Sequence, residues 1–188
     1  MAFAPAARNF EIVHPLAASD RWRAAFSSRG PLLAALVLLC LIPRAVAAWK
    51  IDTLCKDGVF YVQLASGYER GDLEAGLGRL RLNTYPLILA ALHQCGLSWE
   101  LAARLWGVAV SSLVVLPLFG WLRRQFNDRA AICACLLYAI HPKMIEWSPE
   151  AVRDPTFWLF WTCSLYAAWR AVTEVRLVWF LAAGAAIA

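Results

Sequence analysis

The chain has 188 residues, of which 61% are hydrophobic and 16% are charged, and its mean hydropathy is +0.55. An ordinary soluble domain is about half apolar and about a quarter charged, so this composition excludes that class and predicts a membrane protein. The net charge of +5 does not indicate nucleic-acid binding. The arginines lie mostly beside apolar segments, where they set the topology and meet anionic headgroups.

The N-terminal stretch, residues 1–29, carries four arginines against two acidic residues. It lacks the early apolar core and the cleavage site of a secretory signal, and we expect it to be a cytoplasmic tail. The first membrane span is predicted from Pro31 to about Trp49. Arg44 lies near the outer end of this span, where it can snorkel to the interface or meet an anion.

Residues 50–100 form a polar stretch without the positive excess of a cytoplasmic loop, which indicates the first external loop. In this loop Phe60, Leu64 and Tyr68 recur at four-residue spacing, which predicts a short helix on the membrane surface. The apolar run 85–96 is too short to cross the bilayer, and we expect a second interfacial or re-entrant helix there.

Further spans follow this loop and complete the predicted fold, an all-α, polytopic transmembrane helical bundle with interfacial helices in its first external loop. Ser98 is the expected N-cap of the second span, and Asn127 or Asp128 the expected cap of the third. The predicted transmembrane domain covers residues 30–188. Because its last apolar run is shorter than the roughly 20 residues that a span needs, we expect the chain to be truncated at its C-terminus. The later spans are predicted at 99–122, at 130–140 and from Asp154 to near Arg170, with a fifth starting after Arg176.

Cysteine spacing gives no CxxC pair and no Cys/His set of the kind that binds zinc. Cys55 and Cys95 share the external loop, so a disulfide between them is left open. His93 and His141 are too isolated in the sequence for a metal site.

Three segments carry a family resemblance through their order and spacing. They are Lys56-Asp-Gly-Val-Phe-Tyr61 after the first span, Asn83-Thr-Tyr-Pro-Leu87, and the inner turn and helix that end at His141-Pro142. Over about residues 31–185 the chain resembles the N-terminal part of the GT-C glycosyltransferases that use polyprenyl-phosphate sugars. The protein mannosyltransferase and aminoarabinose transferase branches are the most similar. Many family members have an acidic residue where this chain has Gly58.

The resemblance implies a multi-pass integral membrane glycosyltransferase, with a bacterial cytoplasmic membrane as the expected location. Such an enzyme moves a sugar from a polyprenyl-phosphate-linked donor to a protein, lipid or glycan acceptor on the non-cytoplasmic face. Its expected partners are that donor, the acceptor and membrane lipids, with no nucleic acid. No cofactor is assigned, and the need for a divalent metal is left open.

The acidic residues of the outer loops are the candidate catalytic groups. Asp57 precedes the predicted surface helix and is the expected base that deprotonates the acceptor; its structural alternative is the N-cap of that helix. Asp154 and Glu150 are further candidates, although Asp154 followed by Pro155 also fits the N-cap and first residue of a helix. Pro155 prevents one continuous helix from presenting both acids on one face.

Basic and aromatic side chains of the same loops are the candidate substrate-binding groups, because arginine and lysine hold phosphate. These candidates are Tyr61, Arg79, Arg81, Tyr85, Lys143 and Arg153, with Arg44 and Lys56 behind them.

An alternative function is a transporter or flippase-like component without transferase activity. Against it, the acidic residues lie at the predicted ends of the spans, whereas coupling sites usually lie at mid-membrane.

Overall fold

The computed structural model describes residues 15–50, 55–72, 74 and 83–187, with side chains from Arg29 onward. Every regular element in these residues is an α-helix, which confirms the predicted all-α class. The helices are, in chain order, α1 Pro15–Lys50, α2 Lys56–Glu69, α3 Thr84–Gln94, α4 Trp99–Leu113, α5 Val115–Gln125, α6 Asp128–Ile140, α7 Pro142–Trp147, α8 Asp154–Glu174 and α9 Leu177–Ile187.

The chain divides into two compact units, Met1–Ala34 and Ala35–Ala188. In the first unit, helix α1 begins at Pro15 and therefore starts well before the predicted span at Pro31. Alanine and arginine are frequent between these two positions, and both have high helix propensity, so the helix continues through the Gly30–Pro31 step.

Two stretches of the described chain are helical, long and apolar enough to cross a bilayer, with mean hydropathies of 2.2 for Arg29–Lys50 and 1.9 for Trp99–Gln125. They correspond to the first and second predicted spans. The second is divided at Val114 into α4 and α5, because Pro117 has no N–H to donate to the carbonyl of Leu113. The remaining predicted spans stay predictions.

The helices of the second unit pack into a bundle around α8. Helix α8 packs against α4, α5 and α9, and α5 packs against α6. At one end of the bundle, Arg124 of α5 and Arg170 of α8 both pair with Glu174, at N–O distances of 3.6 and 2.7 Å. At the other end, α6 stops at Ile140 before Pro142, as the sequence predicted.

Helices α2 and α3 pack against each other beside that second end and form a buried cluster with α4. Tyr61, Leu64 and Ala65 make the buried face of α2. On the predicted apolar face, Leu64 is buried and Phe60 is 39% exposed. The contact with α3 turns the helix so that Tyr61 points inward. Whether these two helices lie on a membrane surface stays a prediction.

Candidate functional site

Three of the predicted site residues, Tyr85, Arg153 and Asp154, line one cavity of about 570 Å³. We call it the α3–α8 groove, because its walls are the start of α3 and the first turns of α8, with the end of α9 closing one side. The sequence analysis did not single out the other principal side chains that line it, which are Asn83, Thr84, Thr156, Phe157, Phe160 and Trp161.

The polar end of the groove is formed by two helix starts. The Asn83 side chain caps α3 by accepting a hydrogen bond from the backbone N–H of Tyr85 at 3.1 Å. At the start of α8, Arg153 occupies the cap position and no side chain caps the helix, so the predicted N-cap alternative for Asp154 is wrong. Helix N-termini carry partial positive charge, and Arg153 adds a full one beside the Asp154 carboxylate, so this end offers hydrogen-bond donors to an anion.

The other wall of the groove is aromatic. The rings of Phe157 and Trp161 are stacked, with centroids 5.7 Å apart and planes at 23°. Phe160 stands beside them and is also exposed. The hydroxyl of Thr156 accepts a hydrogen bond from the indole N–H of Trp106 at 2.8 Å, which ties this part of α8 to α4. Such a wall suits a long apolar chain.

Asp57 lies in the first turn of α2 with its side chain exposed. The predicted alternative role for Asp57 as the N-cap is wrong. The helix begins at Lys56, the residue before Asp57, and Cys55 occupies the cap position. The Cys55 sulfur accepts a hydrogen bond from the N–H of Gly58 at 3.3 Å. Cys55 and Cys95 are both free, so the disulfide left open by the sequence is not formed.

Tyr61 brings α2 and the groove together. Its ring meets that of Tyr85 edge-on, with centroids 5.2 Å apart. Burial raises the pKa of Tyr61; Arg153 opposes that rise, and the negative charges of Asp154 and Asp57 add to it. All three charged groups therefore lie within electrostatic reach of the Tyr61 hydroxyl.

Tyr85 is 1% exposed, and its hydroxyl has no hydrogen-bond partner in the described part of the chain. Burial raises the pKa of Tyr85, with smaller contributions from Cys55 and Tyr61. The hydroxyl therefore stays protonated at neutral pH and is a buried donor beneath the groove.

Glu150 lies in the irregular segment Ser148–Arg153, which joins α7 to α8 and which we call the acidic segment. The Oε2 atom of Glu150 is buried without a partner among the described residues. Burial raises the pKa of the Cys55 thiol, and Glu150 raises it further, so these two side chains are neighbours. The start of α2 thus packs on the acidic segment.

The remaining candidates lie elsewhere. Lys143 is exposed, pairs with Glu146 at 2.8 Å and does not line the groove. Arg44 is fully buried and donates its hydrogen bonds to protein oxygens, so its predicted role in snorkelling or anion binding is wrong. Arg79 and Arg81 lie outside the described residues.

Among the groove residues that the sequence analysis missed, the three aromatic ones have a spacing in the sequence that could have indicated them. Phe157, Phe160 and Trp161 are spaced three and four residues apart, which places their rings on one face of a helix. Asn83 begins one of the segments that carry the resemblance but was not named as a site residue, and no signal marked Thr156. Their importance arises from contacts between segments that are far apart in the sequence.

Comparison with known proteins identifies the broader group. A family model described as dolichyl-phosphate-mannose-protein mannosyltransferase matches residues 84–188, which is more than half of the chain. This range contains the α3 and α8 walls of the groove and Glu150, but neither Asp57 nor Tyr61. No curated protein and no solved structure matches the chain.

Proposed function

Because the chain belongs to the dolichyl-phosphate-mannose-protein mannosyltransferase family, whose members are membrane glycosyltransferases with lipid-linked sugar donors, we propose that the α3–α8 groove binds a polyprenyl-phosphate sugar. The observation that carries this proposal is the placement of Arg153, Asp154 and Tyr85 in one groove with an aromatic wall. The groove opens on the non-cytoplasmic face of a multi-pass protein in a bacterial cytoplasmic membrane. The acceptor is a protein, a lipid or a glycan.

The groove contacts the phosphate, the polyprenyl chain and the sugar of the donor. The Arg153 guanidinium binds the phosphate, supported by the uncapped start of α8, and stabilises the negative charge that grows on the phosphate as the sugar leaves. The polyprenyl chain lies along Phe157, Phe160 and Trp161. Asp154 hydrogen-bonds the sugar.

The acceptor is activated by Asp57 from the α2 side. Asp154 is the neighbour of Arg153 and meets the sugar from the same side as the leaving phosphate, whereas Asp57 belongs to another helix and approaches across Tyr61. A base on the side opposite the leaving phosphate suits a single displacement with inversion at the anomeric carbon. The acceptor proton passes to the Asp57 carboxylate as the new bond to the sugar forms.

The test is a transfer assay with the protein in proteoliposomes. Polyprenyl-phosphate [³H]mannose and the corresponding glucose and aminoarabinose donors are supplied in turn. Protein, lipid and glycan fractions of host membranes serve as separate acceptors. Label arriving in one fraction identifies donor and acceptor together. Movement of the intact donor across the vesicle membrane without any transfer would instead support the transporter alternative.

Two variants separate the proposed roles. Arg153→Gln should raise KM for the donor by about 10- to 100-fold, the worth of hydrogen bonds to a charged group. Asp57→Asn should lower kcat by about 10²- to 10⁴-fold while donor binding stays intact, as expected for a lost general base. Near-normal kcat in Asp57→Asn would remove the base assignment.

Matched controls replace an arginine by glutamine and a carboxylate by its amide at exposed positions outside the groove. Arg70 bonds only locally to Ser66, four residues earlier, and Arg70→Gln should leave donor KM unchanged. Glu100 occupies the first turn of α4 as Asp57 occupies that of α2, and Glu100→Gln should leave kcat unchanged.

A further inference from the structure

Arg44 is a charged side chain that is fully buried in the first span. Its Nη1 donates to the carbonyl oxygens of Cys40 at 3.0 Å and Ala139 at 3.3 Å, and its Nη2 donates to that of Tyr138 at 3.3 Å. Its Nε donates to the hydroxyl of Ser148 at 3.1 Å. Each of these acceptors is a neutral oxygen, and the guanidinium also lies 4.8 Å from the centroid of the Tyr138 ring.

The sequence explains why the end of α6 needs these donors. Helix α6 stops at Ile140, so its last carbonyls have no helical partner. The carbonyl of Tyr138 would normally accept from residue 142, but Pro142 has no N–H. Arg44 supplies the missing donor from another helix. An ionised group in a membrane span is costly and tends to mark a functional region, and here it is stabilised by the negative end of the α6 dipole.

The same guanidinium holds the start of the acidic segment. The Ser148 hydroxyl accepts from Arg44 and donates to the carbonyl of Met144, so it joins α1 to α7. The carbonyl of Ser148 in turn packs against Gly107 of α4, where a Cβ would collide with it. The segment then passes Glu150 and leads directly into Arg153 and Asp154.

We propose that Arg44 is a positioning residue, which fixes the acidic segment between α2 and α4 and thereby places Arg153 and Glu150. It touches neither donor nor acceptor. For its effect on transfer, the proposal rests on the proposed function. The placement itself is measured separately, through the half-buried Cys55 thiol that the segment covers.

The first measurement is the rate at which a membrane-impermeant maleimide labels Cys55, read by mass spectrometry on the whole protein in proteoliposomes. Arg44→Lys keeps the charge but loses the planar fork, and Ser148→Ala removes the linking hydroxyl. Both should raise the Cys55 rate by about fivefold or more, because release of the segment exposes the thiol and removes the causes that raise its pKa. Exposed Cys95 should keep its rate.

The second measurement is transfer. In the Arg44→Lys background, Arg153→Gln should raise the donor KM by a markedly smaller factor than in the unaltered protein, because Arg153 is already displaced. If the two residues acted independently, the factor would be the same in both backgrounds. The matched control is Arg123→Lys, which alters an arginine paired with Asp128 at 3.3 Å, at the other end of the bundle. It should change neither the labelling rate of Cys55 nor the factor by which Arg153→Gln raises the donor KM.

The outcomes are distinct. Unchanged Cys55 labelling in both Arg44→Lys and Ser148→Ala overturns the proposal, as does an equal rise at Cys55 and at the buried Cys135, which would mean that the fold is lost. Selective exposure of Cys55 supports it. If the unaltered protein transfers no sugar, the proposed function fails while the labelling result still decides the positioning role.

Discussion

Gly58 shows what one missing side chain permits at this site. A Cβ at this position would lie 2.7 Å from the Cβ of Ala151 and 3.3 Å from its carbonyl oxygen. The backbone of α2 can approach the acidic segment this closely only because residue 58 has no side chain. The acidic residue that the resemblance leads one to expect after Asp57 would not fit here. Close packing therefore accounts for the glycine at position 58.

Gly58→Ala should separate α2 from the acidic segment. We expect a loss of about 1–3 kcal/mol in the free energy of unfolding, the usual cost of overpacking, together with reduced transfer. Thermal unfolding in detergent and the transfer assay measure the two effects. Adding Ala151→Gly should restore part of both, because it removes the closer of the two contacts.

The control for this substitution is Gly184→Ala in α9, where nothing lies within 4 Å of the added Cβ. Alanine is about 1 kcal/mol better than glycine in a helix, so this variant should be slightly more stable. Equal destabilisation at both glycines would contradict the close-packing explanation.

Cys55 should titrate unlike an ordinary thiol. Burial and the neighbouring acids raise the pKa of Cys55, so less thiolate is present at a given pH. Its maleimide labelling should therefore be slower than that of N-acetylcysteine at pH 8 and should keep rising above the pH at which the free thiol levels off. Glu150→Gln removes one raising cause and should move the rate profile to lower pH. An unchanged pH profile would mean that Glu150 does not contribute to the raised pKa of the Cys55 thiol.

Among the helices, the caps show where local sequence decides structure and where it does not. The predicted caps were Ser98 and either Asn127 or Asp128. Ser98 and Asn127 accept the expected backbone hydrogen bonds, from Leu101 and Ala130. The predicted cap at Asp57 was wrong because α2 begins before that residue, with Cys55 as its cap. Here the first turn of α2 packs on the acidic segment. A cap can be predicted only where tertiary contacts leave the helix start alone.

Asn127→Ala tests the purely local case. The Asn127 side chain accepts from the N–H of Ala130 at 2.9 Å at the end of the bundle away from the groove. Its removal should cost about 1 kcal/mol of stability, seen as a lower Tm in detergent, because one backbone donor loses its partner. Asn127→Asp retains the acceptor and should keep Tm. Transfer should be unchanged in both, and a loss of activity with unchanged Tm would contradict the assignment.

Across the whole molecule, the sequence predicted the helices better than the groove. Runs of apolar residues and the His141–Pro142 stop are local signals, and the helices follow them. The groove depends on segments around residues 84, 155 and 186 meeting in space, which no local pattern encodes. Arg44 illustrates the same limit. Its sequence position near the end of a span suggests the interface, whereas its side chain turns inward to the carbonyls of α6.

The orientation of the bundle in the membrane is the prediction on which the site's chemistry depends. Arg124, Arg170 and Glu174 meet at one end of the bundle, and the start of α8 lies at the other. The clustered arginines favour the cytoplasm for the first of these ends. A membrane-impermeant maleimide added to intact cells should therefore label exposed Cys95, beside α3. The same reagent should label Arg129→Cys, an exposed position near the start of α6, only after permeabilisation. Labelling in the opposite order would place the groove in the cytoplasm, where a donor presented on the outer leaflet cannot reach Arg153.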